Sequence, residues 1–353
     1  MTLTQTAKFT KTTILVFIIL SILGTASFIG YKIWYANYLA SLPKVAEKPD
    51  NSFGALPPPS LPQSLVPSRS FTYSLDTNTG GLPDFGKIVK VYYSPKAATT
   101  FLAADKAKAL AQKFNITSPP QAVSETRNSF SQDEKSLVVN LDTGNFSYTN
   151  NATASGGQGL EDDTKLIDNF RSFLSSLGML KKDTLGEKSK IELLKLTDNQ
   201  FIPAQGRFEA QGANIYFWPK DLDQKPILFS NFDKSLIYEE VSSSARVVEN
   251  IKLLNVTFWP VDSSTFATYP LKPAGQAFDE LKSGQGTVVK APTGPLRNQA
   301  SKQVSITSVY LAYFQTENYN PYLQPIFVFE GPGFVAYLPA ITTQPAPTVN
   351  PAK

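Results

Sequence analysis

The sequence predicts an α+β fold attached to a membrane anchor, and three patterns lead to this expectation. An apolar stretch lies near the start, a proline-rich segment follows it, and helix and strand patterns then alternate to the end. The 353-residue chain is 42% hydrophobic and 18% charged, as is typical of an ordered globular protein. We expect an N-terminal transmembrane helix, a proline-rich stalk, and an ectodomain of repeated helix-plus-antiparallel-sheet units.

The apolar stretch, residues 12–31, carries no charged side chain. At about 1.5 Å per residue, a helix of this length just crosses the roughly 30 Å hydrocarbon core of a bilayer. The alternative is a cleaved signal peptide, with Lys8 and Lys11 as its basic region. We favour an uncleaved, single-pass anchor in the cell membrane because the apolar run is long and an interfacial belt follows it. The expected interface residues are Tyr31, Lys32, Trp34, Tyr35 and Tyr38.

The composition narrows the possible chemistry of the body, which we expect on the extracytoplasmic side. The chain contains neither His nor Cys, which excludes Ser-His-Asp catalysis, thiol catalysis and cysteine-ligated zinc. The net charge of +4 is small and forms no basic block, so no nucleic-acid partner is expected. We expect no cofactor and no metal.

Proline and glycine patterns divide the chain. Residues 43–67 contain seven prolines, which favours an extended, semi-rigid spacer. The predicted divisions are residues 1–40 for the cytoplasmic head and anchor, 41–69 for the stalk, 70–158 and 159–341 for two α+β domains, and 342–353 for a disordered tail.

Three amphipathic patterns predict helices. The first carries its apolar stripe from Ala103 to Phe114, the second starts at Asp162 and ends near Gly178, and the third follows Pro273 and ends at Gly284. Because each helix is apolar on one side only, each needs a sheet to cover. Phe278 and Leu281 of the third helix are expected to contact the sheet that contains Leu311 and Phe327.

Alternating apolar residues predict the strands of these sheets. Residues 137–148 form a hairpin that turns at Asp142–Asn145, and residues 304–314 form a strand with a bulge near Thr307 or Ser308. That strand pairs with residues 323–331, which return through a turn at residues 331–333. Residues 213–221 are expected to pair with 225–231, and residues 255–262 with the strand before them. Both of these pairs contain a Phe-Trp-Pro sequence, whose Trp218 and Trp259 we expect in the core or at a sheet edge.

The C-terminal part resembles a known pattern. Tyr269–Gly286 (YPLKPAGQAFDELKSGQG), Ile306–Phe314 and Tyr322–Gly331 are similar to the C-terminal region of YycH/YycI-type regulatory proteins and to PepSY-like domains. The resemblance implies an extracytoplasmic α+β domain that modulates a membrane partner, which in the regulator family is a sensor kinase. It implies no catalytic residues. The stalk and residues 161–261 depart from the pattern.

Partner contact is expected at the loop Gln315–Tyr322, through Tyr319, Pro321 and Tyr322. The alternative is that both tyrosines pack on the adjacent sheet edge. The sequence therefore predicts a non-catalytic protein that binds, and modulates or scaffolds, another envelope or membrane protein. The alternatives are an envelope enzyme that uses carboxylates, for which Glu161–Asp163 are candidates, and a passive structural spacer.

Overall fold

A computed structural model describes residues 16–17, 20–35, 48–96, 98–152, 160–178, 184–242, 248–292 and 303–342. The chain divides into two compact units, Met1–Lys48 and Pro49–Lys353. In the first unit, residues 20–35 form helix α1, and every residue of this helix is exposed.

The expected anchor is described only in part. Among the described residues, no helix is both long and apolar enough to cross a membrane. Residues 12–15 and 18–19 of the expected anchor lie outside the described part of the chain, as do Tyr38 and the tail from residue 343 onward.

The second unit confirms the α+β class. Its helices are α2 (Ala103–Lys113), α3 (Asp163–Leu177) and α4 (Ala274–Ser283). Its strands are β1 (Thr72–Leu75), β2 (Ile88–Tyr93), β3 (Gln121–Ser124), β4 (Arg127–Gln132), β5 (Lys135–Asn140), β6 (Phe146–Asn150), β7 (Leu185–Thr197), β8 (Gln200–Pro203), β9 (Gly212–Pro219), β10 (Ile227–Leu228), β11 (Ile237–Val241), β12 (Ile251–Val256), β13 (Asp262–Pro270), β14 (Thr287–Lys290), β15 (Gln303–Ile306), β16 (Ser308–Phe314), β17 (Tyr322–Gly331) and β18 (Phe334–Pro339).

A nine-stranded sheet has the strand order β3-β4-β5-β6-β12-β11-β9-β7-β8. Helices α2 and α3 share one apolar core with this sheet, because their period-3.6 stripes meet the alternate inward residues of the strands. Asp162 caps α3 by accepting a hydrogen bond from the Lys165 backbone N–H at 3.0 Å, and the helix ends at Gly178. The predicted helix ends are therefore confirmed here.

The nine-stranded sheet also spans the expected boundary between residues 158 and 159. Strand β6, which precedes that position, pairs with β12, which follows it. The hydrogen-bonded ladder joins the two halves because both present their apolar face to the same pair of helices.

A second, seven-stranded sheet contains β10-β16-β17-β18-β14, with β2 pairing both β13 and β17. Helix α4 packs on it, and Leu281 is fully buried in one cluster with Leu311 and Phe327, as predicted. Phe278 is only partly buried.

Two strand predictions are wrong. Instead of a bulge near Thr307, the chain changes sheets there: β15 pairs in parallel with β1, while β16 joins the seven-stranded sheet. Gly331 permits this close crossing, since a Cβ on it would lie 2.1 Å from the Ser305 carbonyl oxygen. In addition, β9 pairs with β7 and β11 rather than with β10, because β10 lies parallel to β16.

The segment interpreted as a stalk is part of the folded unit over residues 49–67, which we call the strap. The strap caps two sheet edges: the Asn51 N–H donates to the Thr268 carbonyl of β13 at 3.1 Å, and the Leu65 N–H donates to the Val288 carbonyl of β14 at 2.9 Å. Gln324 Nε2 also donates to the Pro57 carbonyl at 2.8 Å. The physical reason is that Phe53, Leu56 and Leu61 are apolar and pack against the cores. Burial of these side chains holds the segment on the folded unit, although its prolines keep the backbone extended.

Candidate functional site

The two Phe-Trp-Pro sequences both contribute residues to the lining of one cleft. In β9, Phe217 faces the helices, Trp218 is buried between the sheets, and Pro219 lines the cleft. After β12, Phe258 and Pro260 line the same cleft.

This opening, which we call the hairpin-end cleft, has a volume of about 400 Å³. The turn between β5 and β6 forms a third wall, so the cleft joins three segments that are distant in sequence. Most of its lining is apolar. Its lining residues are Thr143, Gly144, Asn145, Thr184, Pro219, Lys220, Asp221, Leu222, Ile227, Val256, Phe258, Pro260 and Val261.

Asn145 is one of the polar residues of this lining, and only 5% of its surface is exposed. The hairpin turn places it there: Gly144 takes the left-handed conformation, with φ of 76°, and the Asn145 carbonyl accepts from the Asn140 N–H at 2.8 Å. Its side-chain oxygen accepts from the Phe258 N–H at 3.0 Å. Because that N–H needs an acceptor, the orientation of the amide is fixed.

The Asn145 side-chain NH₂ consequently points away from Phe258, and it has no hydrogen-bond partner among the described residues. A buried donor without a partner costs about 1–3 kcal/mol. The nitrogen itself has almost no solvent-accessible surface.

The charged residues of the cleft lie at its rim. Lys220 and Asp221 are both exposed and adjacent in sequence, so their opposite charges largely cancel. Asp221 is the single carboxylate in the cleft lining. Among the described residues, no group of three or more Asp or Glu side chains is arranged to hold a metal ion.

The three acids considered for catalysis lie instead at the start of α3. Asp162 caps the helix, Glu161 accepts from Asn169 Nδ2 at 3.2 Å, and Asp163 pairs with Arg207. None of them lines the hairpin-end cleft. These contacts are those of a helix N-terminus, where carboxylates complement the dipole.

The expected contact loop lies on the other side of Trp259. Tyr319 is half-buried: its ring centroid lies 5.4 Å from that of Trp259, and its hydroxyl donates to the Ser94 carbonyl at 2.8 Å. Tyr322 packs against Phe53 of the strap, with ring centroids 5.3 Å apart. The Pro321 carbonyl accepts from the Ser94 N–H at 2.8 Å. Both rings thus pack on a sheet edge, and partner contact at these residues stays a prediction.

The expected interface residues that the structure describes lie on α1. The Tyr31 ring lies 6.2 Å from Trp34 and 5.9 Å from Tyr35, and Lys32 Nζ lies 5.7 Å from the Phe28 ring centroid. These side chains form an exposed aromatic cluster at the C-terminal end of the helix.

A second cavity, of about 340 Å³, lies near the start of β11. Its floor includes Tyr216 and Tyr238, whose ring centroids are 5.5 Å apart. Here the buried amide is satisfied, because Asn255 Nδ2 donates to the Leu236 carbonyl at 2.6 Å.

Comparison with protein-family models gives no match to this chain, and comparison with curated proteins gives none either. The resemblance to YycH/YycI-type and PepSY-like proteins therefore stays a prediction.

Sequence reasoning did not find the hairpin-end cleft. It identified the Asp142–Asn145 turn and both Phe-Trp-Pro sequences, but as unrelated features. The repeated tripeptide was the available signal, since two strands with the same ending can finish at one edge. Their adjacency depends on the register of β9, β11 and β12, which no local pattern specifies.

Proposed function

We propose that the protein is a non-catalytic, single-pass membrane protein whose second unit lies outside the cytoplasm and binds another envelope or membrane protein, which it modulates or scaffolds. The observation that carries the proposal is the exposed apolar surface of α1. Leu20, Ile22, Leu23, Phe28, Ile29 and Ile33 are each more than half exposed.

A contiguous apolar surface of this kind is unfavourable in water and is covered by lipid or by another protein. The aromatic cluster at Tyr31, Trp34 and Tyr35 matches the preference of such rings for the headgroup region. The preceding head contains Lys8 and Lys11 but no acid, which favours a cytoplasmic location for it.

Membrane attachment brings the second unit close to other membrane proteins. Confinement to one bilayer raises the effective concentration of a partner, so modest contact surfaces suffice. The half-buried aromatic loop at Tyr319 and Tyr322 supplies rigid rings of the type that anchors partners. By resemblance, a sensor kinase is one possible partner.

Topology is tested by adding protease to intact cells that express the full chain with a C-terminal epitope. We expect loss of the epitope and a small membrane-bound fragment that resists alkaline extraction. Release of a soluble protein that begins near Ser27 would show that the segment is a cleaved signal peptide.

Partner contact is tested with a photoreactive side chain at the exposed position Asn318 in the full chain. Tyr319→Ala combined with Tyr322→Ala should weaken a specific crosslink to a membrane protein, because both rings are removed. Tyr319→Phe with Tyr322→Phe is the matched control, since it keeps the rings, and it should retain the crosslink. Unfolding curves of both variants separate lost contact from lost stability. Equal crosslinking in all variants would remove the loop from the proposal.

One observation favours the carboxylate enzyme as a second candidate. Burial raises the pKa of Glu240 above its ordinary value, while Glu192 is ionically paired with Lys190 at 2.8 Å. The two glutamates flank Asn214 in register, on strands two positions apart. A pair of acids with different environments is what glycoside hydrolysis requires. Soluble fragments released from isolated peptidoglycan by the wild type, but not by Glu240→Gln, would overturn the non-catalytic proposal.

A further inference from the structure

We propose that the second cavity binds a zwitterion, namely an apolar amino acid or a short apolar peptide with free ends. Such a ligand carries one ammonium group and one carboxylate group on an apolar body. The volume of the cavity, about 340 Å³, lies within the range of small-molecule sites. The inference depends neither on the membrane anchor nor on partner contact through Tyr319 and Tyr322.

Two side chains of opposite charge determine the polar half of the ligand. Lys234, between β10 and β11, and Glu317, between β16 and β17, both line the cavity, and both are exposed. Neither has an ion-pair partner among the described residues. Because both side chains are exposed, a ligand in the cavity has access to their charged groups.

The neighbouring charges already have partners. Asp233, which precedes Lys234 in the chain, pairs with Lys290 at 2.8 Å. Lys190, whose strand β7 lies beside β9, pairs with Glu192 at 2.8 Å. Neither of these pairs contributes a charged residue to the cavity lining. The two lining charges are therefore left for a ligand to complement.

The aromatic floor determines the apolar half of the ligand. Tyr238 is half-buried, its ring stacks on that of Tyr216 with centroids 5.5 Å apart, and Phe229 lines the same cavity. Burial, and next the charge of Glu317, raises the pKa of the Tyr238 hydroxyl, which places the carboxylate near this floor. A ligand ammonium group at Glu317 would thus lie beside aromatic rings, which attract cations.

The pair of opposite charges disfavours simpler ligands. A carboxylate without an ammonium group would be attracted by Lys234 and repelled by Glu317, and an amine without a carboxylate would meet the reverse. A neutral ligand would displace water from both charges without replacing it. A zwitterion supplies a counter-charge to each side chain, and its apolar body covers the rings.

The test uses the full chain in lipid nanodiscs and leucine as the probe, with binding measured by saturation-transfer NMR titration. Glu317→Gln and Lys234→Gln each remove one charge from the lining. We expect about fivefold weaker binding by each variant, which corresponds to the loss of one ion pair worth about 1 kcal/mol. Glu125→Gln and Lys108→Gln are the matched controls, because they make the same changes at exposed residues outside the cavity, and both should bind as the wild type does.

Probes that lack one charge assign each ligand group to its side chain. N-acetyl-leucine has no ammonium group and leucinamide has no carboxylate, so both should bind the wild type more weakly than leucine does. Glu317→Gln should weaken leucinamide but not N-acetyl-leucine, and Lys234→Gln should show the opposite pattern. The dipeptide Leu-Leu distinguishes the sources of the zwitterion: tighter binding than leucine assigns a peptide with free ends, and equal or weaker binding assigns a free amino acid.

Two results would overturn the inference. One is no saturable binding of leucine or Leu-Leu up to about 10 mM, well above a Kd of about 1 mM. The other is equal affinity for leucine in the wild type and in both charge variants, with circular dichroism showing that the variants are folded. A failed topology or crosslinking experiment would leave this assay unaffected, so the two proposals fail separately.

Discussion

Replacing Leu281 by alanine should destabilise the second unit by about 3–5 kcal/mol, the upper part of the usual range for this change. Leu281 is fully buried beneath the seven-stranded sheet. The substitution removes three carbons, worth about 2 kcal/mol in transfer free energy at roughly 0.8 kcal/mol each. A cavity term adds to this when the surroundings cannot collapse.

The neighbours of Leu281 indicate that collapse is limited. A Cβ on Gly286 would lie 2.5 Å from Leu281 Cδ1, so this residue packs against the leucine without a side chain that could fill the gap. Ala277, one turn earlier in α4, is also small. The opposite wall consists of sheet strands that their hydrogen bonds hold in register.

The measurement is urea unfolding of the full chain in nanodiscs, followed by tryptophan fluorescence and circular dichroism. Leu65→Ala is the matched control: the chemical change is the same, but Leu65 is 65% exposed, and the cost should stay below about 0.5 kcal/mol. Asp162→Asn with Asp163→Asn should also cost little, because asparagine caps helices as well as aspartate does and a surface helix-dipole interaction is worth roughly 0.3–1 kcal/mol.

Two results would refute this reasoning. If Leu281→Ala costs no more than Leu65→Ala, α4 does not pack on the sheet as described. If the double asparagine variant is the more damaging, the acids at the start of α3 have a role beyond capping and pairing.

Two further predictions follow from the strap and from Asp262. A soluble fragment that begins at Pro49 should melt about 5–10 °C higher than one that begins at Ser68, because the shorter fragment loses the strap and each kcal/mol of lost stability lowers the melting temperature by roughly 2–4 °C. Equal melting temperatures would mean that the strap contributes no stability. Hydrogen bonds from Ser264 and Thr265 lower the pKa of Asp262 to about 2. Its contribution to stability is therefore present above pH 4 and lost as the pH falls from about 4 to about 2. Asp262→Asn should unfold with a shallower pH dependence in that window, whereas identical acid-unfolding profiles would contradict the assigned hydrogen bonds.

The helices of the second unit could be predicted from the sequence because their signals are local. The apolar stripe of α3, its cap at Asp162 and its end at Gly178 all lie within one short segment. The hairpin of β5 and β6 is likewise local, since its turn lies between its strands. Pairing between distant strands had no such signal: β10 has only two residues, and its parallel partner β16 lies far along the chain.

The strap shows a second limit of prediction from sequence. Its prolines predict extended backbone, and residues 49–67 form neither a helix nor a strand. Proline content describes the conformation of a segment and not whether it is packed. The apolar residues between the prolines, Phe53, Leu56 and Leu61, were the signal that it is packed.

The candidate site depends both on local strand patterns and on how distant segments pair and pack. Successive side chains of a strand point to opposite faces of the sheet. In β9, Phe217 therefore lies in the core shared with the helices, Trp218 lies on the opposite face, and Pro219 is the last residue of the strand. After β12 the same tripeptide lies beyond the last ladder residue, so Phe258 is free to line the cleft while Trp259 turns away. Trp259 is held there by its Nε1, which donates to the Thr316 carbonyl at 3.0 Å, and by its own carbonyl, which accepts from Gln315 Nε2 at 3.1 Å.

The segment Phe258–Pro260 therefore contacts two different parts of the molecule. One side of the segment forms a wall of the hairpin-end cleft and supplies the N–H that fixes the Asn145 amide. The other side supports Tyr319 through the Trp259 ring. The Phe258–Pro260 segment therefore contacts both the Asn145 amide and the Tyr319 loop, which lie far apart in the sequence.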